Sequence, residues 1–522
     1  MAFLVNTRFI KFFVLILVLL FIIWVDKSKA QLPVNKINVN FNNIKLSCIL
    51  DSLSTKLGVN FSYNSELSAL KKNKSINLNA KLEDILKILF QGESLEYSII
   101  DKQIIISSLS NPTNDENIGI KEAYYTIKGI VLDKKTLKPL SYASIIVSGK
   151  SIGTVTNNNG EFVLKIPYSY KFKDSLIISY IGYQPENKAI DSLLNKKVNI
   201  FLSENSTYIK QIVVTPILGI EIVKDAVDKI NENYSNKNSM YTAFYRETNQ
   251  EDNEYISICE AVLSIAKAPY NSALFRDQAK IFKERKNSNL KKMQKLLFKL
   301  EGGVYNCLRL DVVKDRASFL SYEYFDSYEY KFVRKVAYNN RYLYQIEFDQ
   351  KEGIVEPLYK GVIYIDIETK AIIAVKFGLS PRGISNAYNM LVVEHPRKYQ
   401  IKPLSTEYQI FYRCINNKWV LDYIRGEIRI KANNNKLFFS STFTSVTEIA
   451  VTEIDTTNST RFKWNEIVRP NDIMVDNSIE IDEDYWSSYN IIQPEQPVIE
   501  AIKKMKLGKS IDSDRQKLNK IF

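Results

Sequence analysis

The chain contains one histidine, His395, and four cysteines, Cys48, Cys259, Cys307 and Cys414, and this short inventory limits the chemistry available to it. A zinc carboxypeptidase needs at least a histidine pair and a glutamate on the metal, so that activity is excluded. A serine hydrolase would need His395 as its base, yet "VVEHPRKY" sets it directly before a proline, where a surface loop or strand end is the expected place for it. The cysteines are widely spaced with no C-x-x-C, so a zinc site is unsupported and pairing into disulfides stays open. Cys48 is expected to pack as a small hydrophobe on the apolar side of a helix. Carboxylates lie close in sequence at Glu323 with Asp326 and at Asp482 to Asp484. Glycoside hydrolysis requires two opposed carboxyl groups, and closeness in sequence does not supply opposition. In "IEIDEDYWSSYN" the acids precede Trp486 and are expected to face water at the start of a short helix, where negative charge suits the helix dipole. Catalytic, cofactor-binding and metal-ligating residues are therefore all expected to be absent, and the chain is not expected to be an enzyme.

"GTVTNNNGEFVLKIP", residues 153–167, is the one oxygen-rich loop that invites a metal reading. A calcium loop of the EF-hand kind needs carboxylates at alternate positions between helices. Asn157, Asn158 and Asn159 supply neutral amides, and the flanks alternate with period two. Asn159 and Gly160 tolerate positive φ, so these residues are expected to form a tight hairpin turn between strands.

The elements that position these residues begin after residue 30. Arg8 and Lys11 flank the apolar run "FFVLILVLLFIIWV", and "SKA" follows with small residues at Ser28 and Ala30, the pattern of a secretory signal peptide cut between Ala30 and Gln31. The rival is an uncleaved anchor, but fourteen residues at ~1.5 Å each reach about 21 Å, short of a hydrocarbon core of about 30 Å. No cysteine stands at the cut, so no lipid is expected there. The formal charge is +13, and +10 without residues 1–30. Lys, Asn and Ile are abundant throughout, so the bias is general, and export makes nucleic acid an unsuitable partner.

Residues 37–107 contain one unit twice. "INVNF" alternates, Leu46, Ile49, Leu50, Leu53 and Leu57 recur at helical spacing up to Gly58, and "VNFSY" alternates again. "SINLNA", then Leu82, Ile85, Leu86 and Leu89 up to Gly92, then "LEYSII" and "QIIISS", repeat it. A polar stretch with Pro112 follows, and six short strands from "TIKGIVLD" to "KKVNIFLS" then read as a β-sandwich. Beyond residue 217 a helix, "GIEIVKDAVDKINENY", leads into long alternating segments. Tyr342, Tyr344, Ile346 and Phe348 alternate, and "GVIYIDIETKAIIAVKFGLS" reads as a hairpin within one large antiparallel sheet. In 283–300, "KERKNSNLKKMQKLLFKL", Leu290, Met293, Leu297 and Leu300 share a helical face opposite Lys291, Lys292, Lys295 and Lys299. This predicts a basic amphipathic helix packed on its own domain, with an anionic membrane surface as the alternative.

Five resemblances follow from these residues. "IKLSCILDSLSTKLGVNFSYNSEL" with "INLNAKLEDILKILFQGESLEYSIIDKQIIIS" resembles the secretin and TonB short N-terminal domain, which implies a periplasmic interaction module. "TIKGIVLDKKTLKPLSYASIIVSGKSIGTVTNNNGEFVLKIP" with "DSLIISYIGYQP" resembles the carboxypeptidase regulatory-like domain of Bacteroidota envelope proteins, at Gly129, Leu140, Ala143, Ile146, Gly153, Thr154, Thr156, Gly160, Phe162, Ser179, Gly182 and Tyr183. Asn157 departs from that family, in which an aspartate is commoner, and the family's sandwich is a non-catalytic accessory. "STYIKQIVVTP" resembles the lead-in to a TonB-dependent receptor's plug, but about three hundred residues remain, too few for plug and barrel. "YKGVIYIDIETKAIIAVKF" is similar to repeats of the open half-barrel of periplasmic lipoprotein carriers. "FYRE", "EAVLSI" and "EDYWSSYNII" complete a pattern similar to barrel-less Bacteroidota proteins with the regulatory-like domain.

The expected architecture is multi-domain, α+β and all-β. It comprises a signal peptide at 1–30, a two-repeat βαβ module at 36–108, a linker at 109–123 and a prealbumin/Ig-like β-sandwich at 125–205. A linker strand at 206–216 then leads to a β-rich domain at 217–522 that folds by itself, with an open half-barrel as its form. The expected role is a non-catalytic protein contact or transduction at the outer membrane, with an envelope protein as partner. The alternative is lipid or lipoprotein binding on an apolar, incompletely filled inward face of strands 342–348 and 362–377.

Overall fold

The computed structural model describes residues 37–57, 59–63, 68–91, 93, 95–100, 103–108, 124–167, 174–194, 196–205, 218–272, 274–288, 299–300, 303–394, 399–434, 439–457, 460–469, 486 and 489–505. Ala30, Gln31, Gly58, Gly92, both linkers, His395 and Asp482 to Asp484 lie outside these residues, as does most of the amphipathic segment. The chain divides into two compact units, residues 1–119 and 120–522.

In the first unit the repeat read from the sequence is present. β1 (Ile37–Lys45), α1 (Leu46–Leu57) and β2 (Asn60–Tyr63) form one copy, and β3 (Asn73–Ala80), α2 (Leu82–Phe90), β4 (Leu95–Ile100) and β5 (Gln103–Ser108) form the other. β1 pairs with β3, and β2 lies parallel to β5 with β4 on β5's other side. The two copies thereby exchange strands over one core built from Leu46, Ile49, Leu50 and Leu53 of α1 and Leu82, Ile85, Leu86 and Leu89 of α2. Cys48 is exposed, contrary to expectation. Two residues at about 100° each carry it roughly 200° round from Leu46, to the outer side of α1.

The second unit opens with the sandwich. Its strands are β6 (Tyr124–Asp133), β7 (Ser144–Val147), β8 (Gly153–Val155), β9 (Glu161–Pro167), β10 (Ser175–Ser179), β11 (Glu186–Ala189) and β12 (Lys197–Leu202), in sheets ordered β11-β10-β7-β8 and β12-β6-β9. Because β8 and β9 belong to different sheets, the turn at 157–160 is a corner between layers rather than the expected hairpin. Ile127, Val131, Ile145, Phe162, Leu164, Leu176 and Ile178 fill the space between them.

Beyond it, α3 (Gly219–Asp228) and α4 (Ile230–Asn233) lead to β13 (Ser239–Glu251), β14 (Glu254–Lys267), β15 (Gln278–Ser288), β16 (Lys299–Leu300), α5 (Gly303–Leu308), β17 (Tyr328–Tyr338), β18 (Arg341–Gln350), β19 (Tyr359–Asp366) and β20 (Ile372–Leu379). Then come α6 (Tyr388–Leu391), β21 (Val392–Glu394), β22 (Tyr399–Ile415), β23 (Lys418–Asn434) and β24 (Phe439–Asp455). Ten of these strands form one open antiparallel sheet, ordered β15-β14-β13-β24-β23-β22-β20-β19-β18-β17. Tight turns match its right-handed twist: Asp252 with Asn253, Asn339 with Asn340 and Asn416 with Asn417 all have positive φ, the pairing that a two-residue hairpin demands. The helix expected over 283–300 does not reach its first residues. Lys283 to Ser288 belong to β15, held to β14 by a continuous register, and Lys299 and Leu300 pair with Glu394 and Val392.

One face of the sheet carries a large apolar core, and the chain fills it by itself. Residues 303–327 fold across it and insert Phe319, which stacks on Phe348 at 4.4 Å and meets Phe377 at 5.0 Å, while α3 and α4 add Ile222, Val223, Ala226 and Ile230. The inward face of 342–348 and 362–377 is thus occupied, contrary to the expected vacancy. Along β18, Ile346 and Phe348 are buried but Tyr342 is 40% exposed, and Leu343 is completely buried. The other face is covered in part by the sandwich and by residues 486 and 489–505. Val155 of the sandwich shares a cluster with Phe244, Tyr423, Ala450, Trp486 and Ile492. The boundary near 217 therefore joins segments with a common core rather than independent bodies.

Candidate functional site

Strand pairing builds a row that no local pattern announces. Across the covered face, Arg285, Glu260, Arg246, Glu448 and Arg425 stand opposite one another on β15, β14, β13, β24 and β23. The same row runs on through Gln409, Lys376, Val362, Glu347 and Lys331, one residue from every strand. Its first five members alternate in sign and are buried, with exposures of 8%, 0%, 4%, 8% and 8%.

Glu260 is the centre of the buried end. Its Oε1 accepts hydrogen bonds from Arg246 Nε and Nη2 at 2.9 and 2.8 Å, and its Oε2 accepts one from Arg285 Nε. Burial alone would raise this carboxyl, but the two guanidiniums outweigh burial and hold it below its usual range. Glu448 goes the other way. Arg246 and Arg425 approach it only to 3.9 and 3.8 Å, and Tyr423 donates to it at 3.0 Å. Burial then dominates and raises its carboxyl above the ordinary value.

The three strings "FYRE", "EAVLSI" and "EDYWSSYNII" converge here. Arg246 and Glu260 come from the first two, while Arg246 Nη2 donates to Ile492 O at 2.8 Å. Trp486 meets Phe244 edge-on at 5.5 Å and lies 5.2 Å under the Arg285 guanidinium. Sequence reading found the strings but assigned their charged residues no role, because their partners lie on other strands.

The corner at 157–160 locks the sandwich onto this region. Asn157 is 1% exposed; its Oδ1 accepts from the amides of Asn159 and Glu161 at 3.0 and 2.9 Å, and its Nδ2 donates to Gln493 O at 3.1 Å. A carboxylate would satisfy the two amides but not that carbonyl, which accounts physically for the amide at this position. Gly160 has φ +71°, and a Cβ there would stand 2.5 Å from Val131 O. Asn159 is not among the positive-φ residues, so only the glycine half of the expected turn chemistry is used. Asn158 N donates to Glu495 Oε1 at 3.1 Å, and Asn490 exchanges hydrogen bonds with Lys165.

Between the corner, residues 495–498 and the row lies a polar pocket of about 320 Å³. Arg246, Arg425 and Arg429 line it against Glu427, Glu448 and Glu495, so neither sign of charge prevails. Arg425 Nε is buried without a hydrogen-bond partner, 3.8 Å from Glu448 Oε1. The arrangement can hold a polar guest by hydrogen bonds, and no nucleophile stands beside a base in it.

A second charged cluster ties 303–327 to the other face. Lys267, 2% exposed, bonds Asp277 and Asp311 at 2.5 and 2.6 Å, and Asp311 also accepts from Tyr270 and Tyr412 at 2.9 and 2.7 Å. Its polar groups are saturated by one another, so it acts as a structural clamp. Glu323 and Asp326 are both exposed on one short turn and do not oppose each other. None of the four cysteines is joined in a disulfide; Cys259 and Cys307 are buried and Cys414 is exposed. Among the described residues no group of three His, Cys, Asp or Glu is placed to hold a metal, and no helix is long and apolar enough to cross a membrane.

Comparison with known proteins places these domains. Residues 127–214 match the family model of the CarboxypepD_reg-like domain, and residues 59–109 match that of the secretin and TonB N terminus short domain. The TonB-dependent receptor SusC of Bacteroides thetaiotaomicron is 34% identical over 89 residues, which cover 17% of this chain and 8% of that receptor. A DUF1329 family protein from Desulfovibrio piger aligns over 46% of this chain and 94% of its own, with 11% identity and a TM-score of 0.20. The chain therefore carries a secretin and TonB short N-terminal domain and a carboxypeptidase regulatory-like domain, the latter seated on an open ten-stranded sheet.

Proposed function

We propose that this chain is a non-catalytic cell-envelope protein, related in its N-terminal domains to outer-membrane TonB-dependent receptors, that binds an envelope protein on the sandwich–sheet body. The observation that carries this reading is the seam itself. The corner at 157–160 and residues 489–505 are hydrogen-bonded around a polar, solvent-open pocket, which offers a partner a rigid surface with donors and acceptors already aimed. Both domain matches and the partial receptor match support a periplasmic or outer-membrane setting. Lipid binding on the sheet's apolar face finds no support, because Phe319 and its neighbours occupy that face.

A photo-crosslinking residue at exposed Asn253 or Arg429, on the pocket's rim, tests the proposal in native cells. The expected result is a discrete adduct with one envelope protein, weakened by Arg425→Ala. Adducts that are absent at both positions, or that contain only lipid, would overturn it.

A further inference from the structure

Away from the pocket, large apolar side chains stand in water beside the edge strand β15. Leu274 and Phe275, 91% and 56% exposed, lie in the loop that leads into β15, and Trp464, 71% exposed, lies on a turn beyond β24. The two loops are clamped together. Arg461 Nη2 donates to Arg276 O at 2.8 Å, Phe462 N donates to Gln278 Oε1 at 3.0 Å, and Lys280 pairs with Glu466 at 2.7 Å. Each exposed ring carries a guanidinium: Arg461 lies 5.7 Å over Phe275 and Arg469 lies 5.6 Å over Trp464.

Among the described residues the charges around these rings are mainly cationic. Arg276, Arg461, Lys463 and Arg469 are cationic, whereas Glu466 pairs with Lys280, Asp277 is buried against Lys267 and Asp315 pairs with Arg309. Tryptophan, phenylalanine and leucine projecting among arginines and lysines match a bilayer's interfacial zone, where rings sit at the headgroup level and cations meet phosphates. Because the clamps already fix both loops, little conformational entropy remains to oppose docking.

We propose that the loops 274–276 and 461–469 form a docking lip for the surface of an anionic phospholipid leaflet. Leu274, Phe275 and Trp464 enter the interface, and Arg276, Arg461, Lys463 and Arg469 contact phosphate groups. This goes beyond the protein contact proposed above and uses a different surface.

The test uses protein beginning at Gln31 and vesicles of phosphatidylcholine with or without phosphatidylglycerol. The expected result is co-sedimentation that depends on phosphatidylglycerol and weakens with salt. Trp464 emission should shift to the blue and be quenched by brominated lipid, while Trp419 and Trp486, each 4% exposed, keep their emission. Leu274→Glu with Trp464→Glu should reduce binding roughly tenfold or more without lowering the melting temperature, since both side chains are exposed. Lys463→Glu alone should weaken binding and its salt dependence. Equal binding to neutral vesicles, an unaffected double variant, or no vesicle binding would each overturn the lip. None of these results bears on crosslinking from Asn253 or Arg429, so failure of one proposal is distinguishable from failure of the other.

Discussion

Replacing Glu260 by glutamine removes one negative charge from the centre of the buried row while nearly preserving shape. In the wild type both carboxylate oxygens are used, Oε1 by Arg246 and Oε2 by Arg285, and none of the three residues is more than 8% exposed. Glutamine leaves two guanidiniums out of water with only Glu448, 3.9 Å from Arg246, to compensate. Breaking a buried pair in this way costs about 3–5 kcal/mol. Residues 120–522 form one compact unit, and for about 400 residues the unfolding entropy is about 0.8 kcal/mol per degree. The melting temperature should therefore fall by roughly 4–6 °C at neutral pH. The folded carboxyl lies below its unfolded value, so its stabilisation is present above the unfolded pKa and disappears as pH falls through the folded one. The gap between wild type and Glu260→Gln should accordingly narrow in acid. Thermal melts followed by circular dichroism across pH measure both effects. A loss below about 1 kcal/mol at neutral pH, or a gap that does not close in acid, would refute the view that Glu260 binds the row together.

Gly160→Val should destabilise the second unit by about 1–3 kcal/mol, because a branched side chain at φ +71° meets Val131 O, whereas a chelator should leave the wild-type melt unchanged. Phe319→Ala should cost about 3–5 kcal/mol in a denaturant titration and open an apolar cavity between Phe348 and Phe377. Asp311→Asn should cost about 3–5 kcal/mol, since Lys267 keeps only Asp277 and the phenols of Tyr270 and Tyr412 lose their charged acceptor. N-terminal sequencing of protein from the native host should find Gln31 first; a chain retaining the apolar run would contradict the expected cleavage.

Local physics made part of this molecule legible. Leu46, Ile49, Leu50 and Leu53 recur at the helical period and are all buried in α1, and their counterparts in α2 obey the same rule, so the repeated module could be read directly. Asp252 with Asn253, Asn339 with Asn340 and Asn416 with Asn417 close hairpins of the large sheet, and such turns are local because positive φ is a property of one or two residues. The corner at 157–160 shows where this stops. Gly160 announced a turn, but whether β9 returned beside β8 or crossed to the second sheet depended on partners elsewhere in the chain. In the segment 283–300 the register with β14 captures the first six residues as strand, whereas Leu290, Met293 and Leu297, which carry the helical spacing, lie outside the described residues.

The charged row belongs wholly to tertiary structure. "FYRE" and "EAVLSI" were visible in the sequence, and strand alternation sets which residues of each segment share a face. That Glu448 and Arg425 should extend the same line requires β24 to insert between β13 and β23, a pairing of segments about two hundred residues apart. Asn157 likewise finds its carbonyl partner 336 positions away, at Gln493. Sequence by itself determined periodicity, turns and the two N-terminal domains, because those rest on neighbours within a few residues. Which charges meet, which apolar face is filled by Phe319 and where a pocket remains were decided by strand order, since burial makes an unpaired charge costly and only the assembled sheet supplies its partner.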